Sequence, residues 1–359
     1  MWRSENGAPP PRRVVIADDT TTADVAYRLA CEGTALLWRG DFQNARQLLQ
    51  AMGRRAEQKK KKAPPLKSIS DTFHLHRQAQ LQRARALGML LISVEAGHRI
   101  ALRRAPDVAQ ACSEAYGTSD EAYVVSLREL QGVIGAYEWR KKGVPIPALN
   151  GERIHPHYGV FSPVRGEYLD LVAQAPLPAI DLAFDIGTGT GVIAAILARR
   201  GVQKVVATEL NPRALACARD NIQCMGLEAQ VVIEAADLFP AGQAPLIVCN
   251  PPWLPGAANS LLDQAIYDPD SRMLRGFLAG LGAHLRPGGE GWLILSDLAE
   301  HLGLRTRAFL LQAIDAAGLH VIQRIDTRPH HAKAADASDP LHAARAAEIT
   351  SLWRLGRRD

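Results

Sequence analysis

Leu182-Ala183-Phe184-Asp185-Ile186-Gly187-Thr188-Gly189-Thr190-Gly191 is the stretch on which the fold turns. An apolar run carries an acid near its end, glycine then recurs at every second position, and residues 192–200 continue with helically spaced apolar side chains that close on two arginines. This reads as strand, glycine-rich turn, helix. Glycine allows positive φ and close approach of the backbone to a ligand, and the first turn of a helix presents N–H groups with no partner inside the helix. A dinucleotide-binding fold uses the same parts, but its G-x-G-x-x-G spacing would need glycine where Val192 stands. The spacing from Gly187 to Gly191 is G-x-G-x-G.

Outward from this turn, residues 204–209 read as a second strand ending in Glu209, twenty-two residues after Gly187. A carboxylate at the tip of that strand can accept two hydrogen bonds from a ribose diol. A helix over 211–225 and a strand over 229–234 lead to Asp237, an acid placed to accept from an adenine amino group, with Leu238 and Phe239 beside it to pack on a purine. Each acid alone reads more readily as a solvated strand end or a helix cap. Their order after successive strands is the informative property.

The apolar run 244–249 reads as a further buried strand, and Asn250-Pro251-Pro252-Trp253 stands at its carboxyl end, where open α/β sheets bind ligands. Two prolines remove two backbone donors and stiffen the turn, leaving the carbonyls of Asn250 and Pro251 to accept hydrogen bonds. An NH₂ group suits them. The Asn250 amide adds an acceptor and a donor, and the Trp253 ring adds an apolar face against which a planar amide or nucleobase can lie.

With these motifs, residues 155–359 resemble the class I S-adenosylmethionine-dependent methyltransferases, in the small-domain branch that carries N-P-P-[FYW]. The resemblance implies an α/β fold: a seven-stranded doubly wound methyltransferase sheet with its last strand antiparallel in residues 149–359, preceded by a smaller basic mixed α/β domain in residues 1–148. It also implies S-adenosyl-L-methionine as cofactor, bound by Asp185, Gly187, Thr188, Gly189, Gly191, Glu209, Asp237, Leu238 and Asn250. Asn250, Pro251, Pro252 and Trp253 would hold the acceptor. Members of this branch methylate exocyclic amino groups of adenine or guanine, or the side-chain amide of glutamine in release factors. Some related ribosomal-RNA methyltransferases carry a degenerate second copy of the fold at the amino terminus; the amino-terminal part here has no glycine turn and is not expected to bind cofactor.

Composition is compatible with such an enzyme. The chain has 359 residues, 47% hydrophobic and 22% charged, enough for two domains with full cores. Its longest apolar run, 86–94, is far short of a membrane span. No apolar segment follows the arginines of residues 1–13, so a secretory signal is not expected. Cys31, Cys112, Cys217, Cys224 and Cys249 form no C-x-x-C pair and read as reduced thiols of a cytoplasmic protein, with Cys249 a strand-core residue and not a nucleophile.

Charge divides the chain. Residues 1–150 hold 23 Lys and Arg against 15 Asp and Glu, whereas 151–359 hold 19 against 22. The excess concentrates in 43–104, with 14 basic residues against three acids, including Lys59 to Lys62, Lys67, Arg103 and Arg104. Such a stripe is the footprint of a phosphate-backbone partner, RNA more than DNA, or else a solvated face with a flexible Ala63-Pro64-Pro65 loop. A translation-factor protein is the alternative partner, and a non-catalytic RNA-binding protein on a methyltransferase fold a further alternative.

The remaining pattern predicts a disordered start, a strand over 34–38, helices over 42–55 and 74–89, a hairpin pairing 90–95 with 99–103, and a long helix over 120–142. His155 and His157, like His330 and His331, lack further ligands nearby and read as loop residues. Pro163 and Arg165 fit loosely a turn that covers the cofactor in glutamine methyltransferases. Past the Trp253 turn come a helix over 271–285 closing at 286–289, a strand over 291–296, a helix over 306–317, and antiparallel strands over 320–325 and 350–355. Asp268, Asp270 and Arg272 are placed to line the acceptor slot, and the long polar loop 326–347 reads as a lid or spacer.

Overall fold

The computed structural model describes residues 1–58, 68–164, 166–329, 336 and 338–358. Lys59 to Lys62, Ala63 to Pro65, Lys67, Arg165, His330 and His331 lie outside the described residues. The chain divides into two compact units, Met1–Glu138 and Trp139–Asp359.

The first unit is built on a four-stranded sheet in the order β1 (Arg13–Ala17), β2 (Thr34–Trp38), β3 (Leu90–Val94), β4 (Tyr123–Ser126). The first three strands run parallel and β4 is antiparallel to β3. Helix Phe42–Gln58 covers the expected 42–55, and helix Ile69–Leu87 begins earlier than the expected 74–89 and ends two residues before it. The start of the chain is ordered, contrary to expectation, because Trp2 bridges to Val124 and the Met1 amino group donates to the Ala122 carbonyl. The expected hairpin is not formed. Val94 is followed by a 3-10 turn, Ala96–His98, with a single bridge from Glu95 to Arg99, and the edge of β3 is taken by β4. The helix expected over 120–142 is split for the same reason: Tyr123–Ser126, with two adjacent valines suited to a pleated surface, pairs with β3, and the helix runs over Leu127–Lys142.

The boundary between units falls inside that helix and not at 148. Val144, Ile146, Leu149 and Ile154 explain the shift, since they are buried in the core of the second unit. There β5 (Val144–Pro145) and β6 (Arg153–Ile154) form a short antiparallel pair.

The second unit's main sheet consists of β7 (Leu182–Ile186), β8 (Lys204–Glu209), β9 (Val231–Ala235), β10 (Ala244–Cys249), β11 (Leu285–Ser296), β12 (Leu319–Thr327) and β13 (Thr350–Arg357). Their order is β12-β13-β11-β10-β7-β8-β9, with β13 antiparallel to both neighbours and the strands from β11 through β9 parallel. This is the seven-stranded methyltransferase topology. Both faces of the central strands are covered, which is why they read as unbroken apolar runs. Leu246 and Val248 of β10 pack with helices Glu167–Gln174 and Val192–Arg199, while Ile247 and Cys249 pack with Leu274, Phe277 and Leu281 of helix Arg272–His284. The turn expected at 286–289 lies within β11 as a register shift against β10, where a Cβ on Gly289 would meet the Pro245 carbonyl oxygen at 2.9 Å.

Candidate active site

Strand order creates the site. β7 has β8 on one side and β10 on the other, so the connections leaving β7 and β10 depart toward opposite edges and open a crevice at their carboxyl ends. Ile186 and Cys249 are register partners, and the glycine turn and the Asn250 turn therefore begin side by side.

Asp185 is 1% exposed. Its Oδ2 accepts from the Thr188 hydroxyl at 2.6 Å and from the Ala194 N–H at 3.1 Å, tying strand, turn and helix Val192–Arg199 together. Its Oδ1 is buried with no hydrogen-bond partner among the described residues. Burial dominates over the two donors, and the nearby Glu209 charge adds to it, so the carboxyl is pushed up to about 7. Gly187 and Thr188 both donate to the Thr208 carbonyl, at 2.9 Å each. Gly187 has φ +71°, and a Cβ there would stand 2.5 Å from the Met273 methyl carbon. Gly189, at φ +58°, has open space where its Cβ would be, and Asn221 secures the far end of the turn by donating to the Thr190 carbonyl at 3.0 Å.

Glu209 closes the turn from the next strand. One carboxylate oxygen accepts from the Gly189 N–H at 3.1 Å and the other from the N–H groups of Leu210 and Asn211 at 2.9 Å each. Asn211 in turn caps helix Pro212–Cys224. Asp237, past β9, is exposed and pairs with Arg272 at 3.2 Å. Leu238 adopts φ +71°, its carbonyl accepts from the Thr208 hydroxyl, and its side chain lies against Gly276. Phe239 is drawn into the core instead of toward a purine, stacked on Phe277 and His284 at centroid distances of 5.9 and 4.3 Å.

In the Asn250 turn the Trp253 indole N–H donates to the Asn250 Oδ1 at 2.8 Å. Indole and amide are thus held as one unit, with the Trp253 ring edge-on to the buried Tyr168 at 6.4 Å. Pro251 is buried and Pro252 half-buried. The carbonyls of Asn250 and Pro251 accept no hydrogen bond among the described residues. Beyond them, Leu254 and Tyr267 form a bridge, and Asp268 is buried, its carboxylate accepting from the N–H groups of Met273 and Leu274 at 3.0 and 3.1 Å. Asp268 therefore caps a helix, while Arg272 serves Asp237. The Cys249 thiol is fully buried, which pushes it well above the ordinary thiol range and leaves it unreactive.

His155 and His157 hold a loop. His155 Nδ1 lies 2.6 Å from the Arg140 carbonyl oxygen, and His157 Nε2 lies 2.9 Å from Asp220, which also binds Arg140 at 2.9 Å. Sequence reasoning missed Tyr168, Asn221 and Arg305, the last reaching the Trp253 carbonyl at 3.2 Å. Only the tertiary fold brings them to the turns.

Residues 152–309 match the family model of the methyltransferase small domain. A release factor glutamine methyltransferase of Cereibacter sphaeroides is 30% identical over 205 residues, covering 51% of this chain and 72% of the relative. The chain belongs to the small-domain class I S-adenosylmethionine-dependent methyltransferases. A tRNA1(Val) (adenine(37)-N6)-methyltransferase of Serratia proteamaculans is 31% identical, covering 48% of this chain and 70% of the relative. A ribosomal protein L11 methyltransferase of Geobacter metallireducens is 29% identical, covering 38% and 51%. This methyltransferase is therefore an enzyme with S-adenosylmethionine as its cofactor and nitrogen as its acceptor atom. The glycine turn suits that cofactor: it combines an open cradle at Gly189, a buried acid with an unpartnered oxygen, and a second acid at the next strand tip. No helix among the described residues is long and apolar enough to cross a membrane.

Proposed function

We propose that the methyltransferase modifies a planar exocyclic amino group of a nucleic-acid base, in RNA in preference to DNA. The observation that carries the chemistry is the pair of unengaged carbonyls at Asn250 and Pro251 beside an immobilised Trp253. The cofactor, when bound, supplies an electrophilic methyl with a neutral leaving group. An aryl amine or amide is a poor nucleophile because its lone pair is delocalised. Two fixed carbonyls that accept its N–H bonds favour a pyramidal, more nucleophilic nitrogen, and they do so most strongly as positive charge develops on it. Asn250 and Trp253 align the acceptor, and the surplus proton leaves to solvent without a dedicated base. In this reading Gly187, Thr188, Gly189 and Gly191 back the methionine part of the cofactor, Glu209 accepts from the ribose and Asp237 from the adenine, with Leu238 beside it.

The nucleic-acid part of the proposal rests on the first unit. Several cations of its basic stretch are paired internally: Arg55 with Asp24, Arg83 with Glu57, and Arg99 with Glu95. Arg103 and Arg104 differ. Both Nε atoms donate to one oxygen of the buried Asp41, at 2.8 and 2.7 Å, while the side chains remain 76% and 56% exposed. Their terminal amino groups make no hydrogen bond among the described residues. One carboxylate thus holds two guanidinium groups with their outer edges turned to solvent, although Asp19, bound to the Asp41 N–H, lowers the net charge there. Guanidinium edges of this kind match phosphate oxygens.

The glutamine-amide reading is favoured by the 30% identity to a release factor methyltransferase. Transfer of labelled methyl to RNA, DNA and protein fractions from cells lacking the enzyme separates the two. Label in RNA, suppressed by heparin, supports the proposal; label confined to a protein band and indifferent to heparin replaces it with the glutamine reading.

A further inference from the structure

Arg305 precedes helix Arg307–Ala316 and is 7% exposed, an unusual position for a guanidinium. Its Nη2 donates to the Trp253 carbonyl at 3.2 Å and its Nη1 to the Ser271 hydroxyl at 3.5 Å. Its Nε is buried with no hydrogen-bond partner among the described residues. The two groups it grips are the two ends of one excursion. Past Trp253, Leu254 donates to the Ile266 carbonyl and Asp268 to the Leu254 carbonyl, closing a loop that returns to Ser271, where helix Arg272–His284 begins.

The return is conformationally costly. Asp270 and Ser271 both sit in the left-handed region, at φ +54° and +53°, which side-chain-bearing residues enter rarely. A buried cation with one donor unsatisfied and two strained neighbours is a poor way to close a loop, because apolar residues of similar volume would serve stability as well or better. Asp268 and Glu300 supply the negative field that keeps the cation there, against a burial that lowers its basicity.

We propose that Arg305 is a positioning residue for methyl transfer, which fixes the plane of the Trp253 peptide and, through the indole-to-Asn250 hydrogen bond, aims the acceptor carbonyls. This rests on the reading of the Asn250 turn as the acceptor site. The Trp253 carbonyl belongs to the same short turn as Asn250 and Pro251, so a rotation at one peptide is passed to the others with little to absorb it, two of the four residues being proline. Misplacement at a reacting centre by a fraction of an ångström is enough to lower turnover while leaving the cofactor cradle, built from β7 and β8, untouched.

The test uses the full chain with R305M, which keeps the unbranched stem and loses every donor, R305K, which keeps the charge, and R305A with added methylguanidinium. Methyl transfer is measured with total RNA from cells lacking the enzyme, alongside cofactor affinity and the indole N–H resonance of Trp253, assigned by its loss in W253F. We expect turnover to fall by about thirtyfold or more in R305M, with acceptor KM and cofactor Kd changed by less than about threefold, the Trp253 resonance displaced, and R305A partly rescued by methylguanidinium. Wild-type turnover with an unmoved Trp253 resonance in R305M overturns the proposal. Displacement of all six tryptophan resonances with parallel loss of cofactor binding also overturns it, by showing a general structural role. Should R305M not fold, R305A measured with and without methylguanidinium carries the same comparison. If only the protein fraction accepts methyl, the nucleic-acid reading fails, and the turnover ratio on that fraction still decides the role of Arg305.

Discussion

Replacing Asp185 by asparagine should change how stability depends on pH more than stability itself. The carboxyl is pushed from 3.8 up to about 7 because burial disfavours its ionised form more strongly than the Thr188 and Ala194 donors favour it. A displacement of about three units at about 1.36 kcal/mol each sets a ceiling of about 4 kcal/mol on the native-state penalty for ionising it. The sign follows from proton occupancy. Between the unfolded and folded values the native chain holds a proton that the unfolded chain has released, so stability falls as pH rises through this window and levels off above about 7. Asparagine keeps the shape and can still accept from Thr188 and Ala194, but it cannot titrate. From about pH 5.5 to about pH 8.5 the wild type should lose about 2 kcal/mol relative to Asp185→Asn, nearly all of it below pH 7. Urea unfolding at half-unit pH steps, followed by tryptophan fluorescence and expressed as variant minus wild type, measures this, since titration of groups not coupled to Asp185 cancels in the difference. A difference that does not vary with pH would refute the claim that Asp185 is protonated in the native chain near neutrality.

Glu209→Ala should weaken S-adenosylmethionine binding by roughly ten- to a hundredfold by calorimetry, the equivalent of about 1.5 to 3 kcal/mol for the charge-assisted hydrogen bonds it removes; unchanged affinity in a folded variant would remove Glu209 from the ribose. Asn250→Ala should lower turnover on the order of a hundredfold with cofactor affinity nearly intact, and collapse of cofactor binding with normal turnover on the bound complex would contradict the acceptor role. Arg103→Gln together with Arg104→Gln should weaken RNA binding about equally for all sequences and reduce the log–log salt slope by about one unit for each phosphate no longer neutralised. An unaltered slope would place the phosphate-binding cations elsewhere.

The glycine turn, the acids at the strand tips and the Asn250 turn were legible in sequence because each is a contiguous local pattern joined to an apolar run. The central strands of the second unit's sheet were legible for the same reason, their double burial writing itself as continuous apolar segments. Arg305 and Asn221 were not. Nothing in the residues around them marks a partner more than thirty positions away, and a buried arginine has the same local signature as a solvated one. Asp41 was hidden likewise, since its two arginines lie more than sixty residues along the chain. The first unit misled for a different reason: Tyr123–Ser126 leads directly into a helix, so helical periodicity extended backward over a strand whose existence depends on β3 being there to receive it.

The position of β13 has a consequence for the order in which the molecule can be made. It lies between β11 and β12, antiparallel to both, yet it follows both in the chain. On a ribosome, β7 through β11, with the glycine turn and the Asn250 turn, emerge while β11 still has an open edge along Trp292 to Ile294, and β12 arrives with no neighbour to join. The glycine turn and the Asn250 turn can form during synthesis, before the sheet is sealed. Until residues 350–357 appear, the growing chain carries an apolar strand with one edge open, the kind of edge that recruits foreign strands.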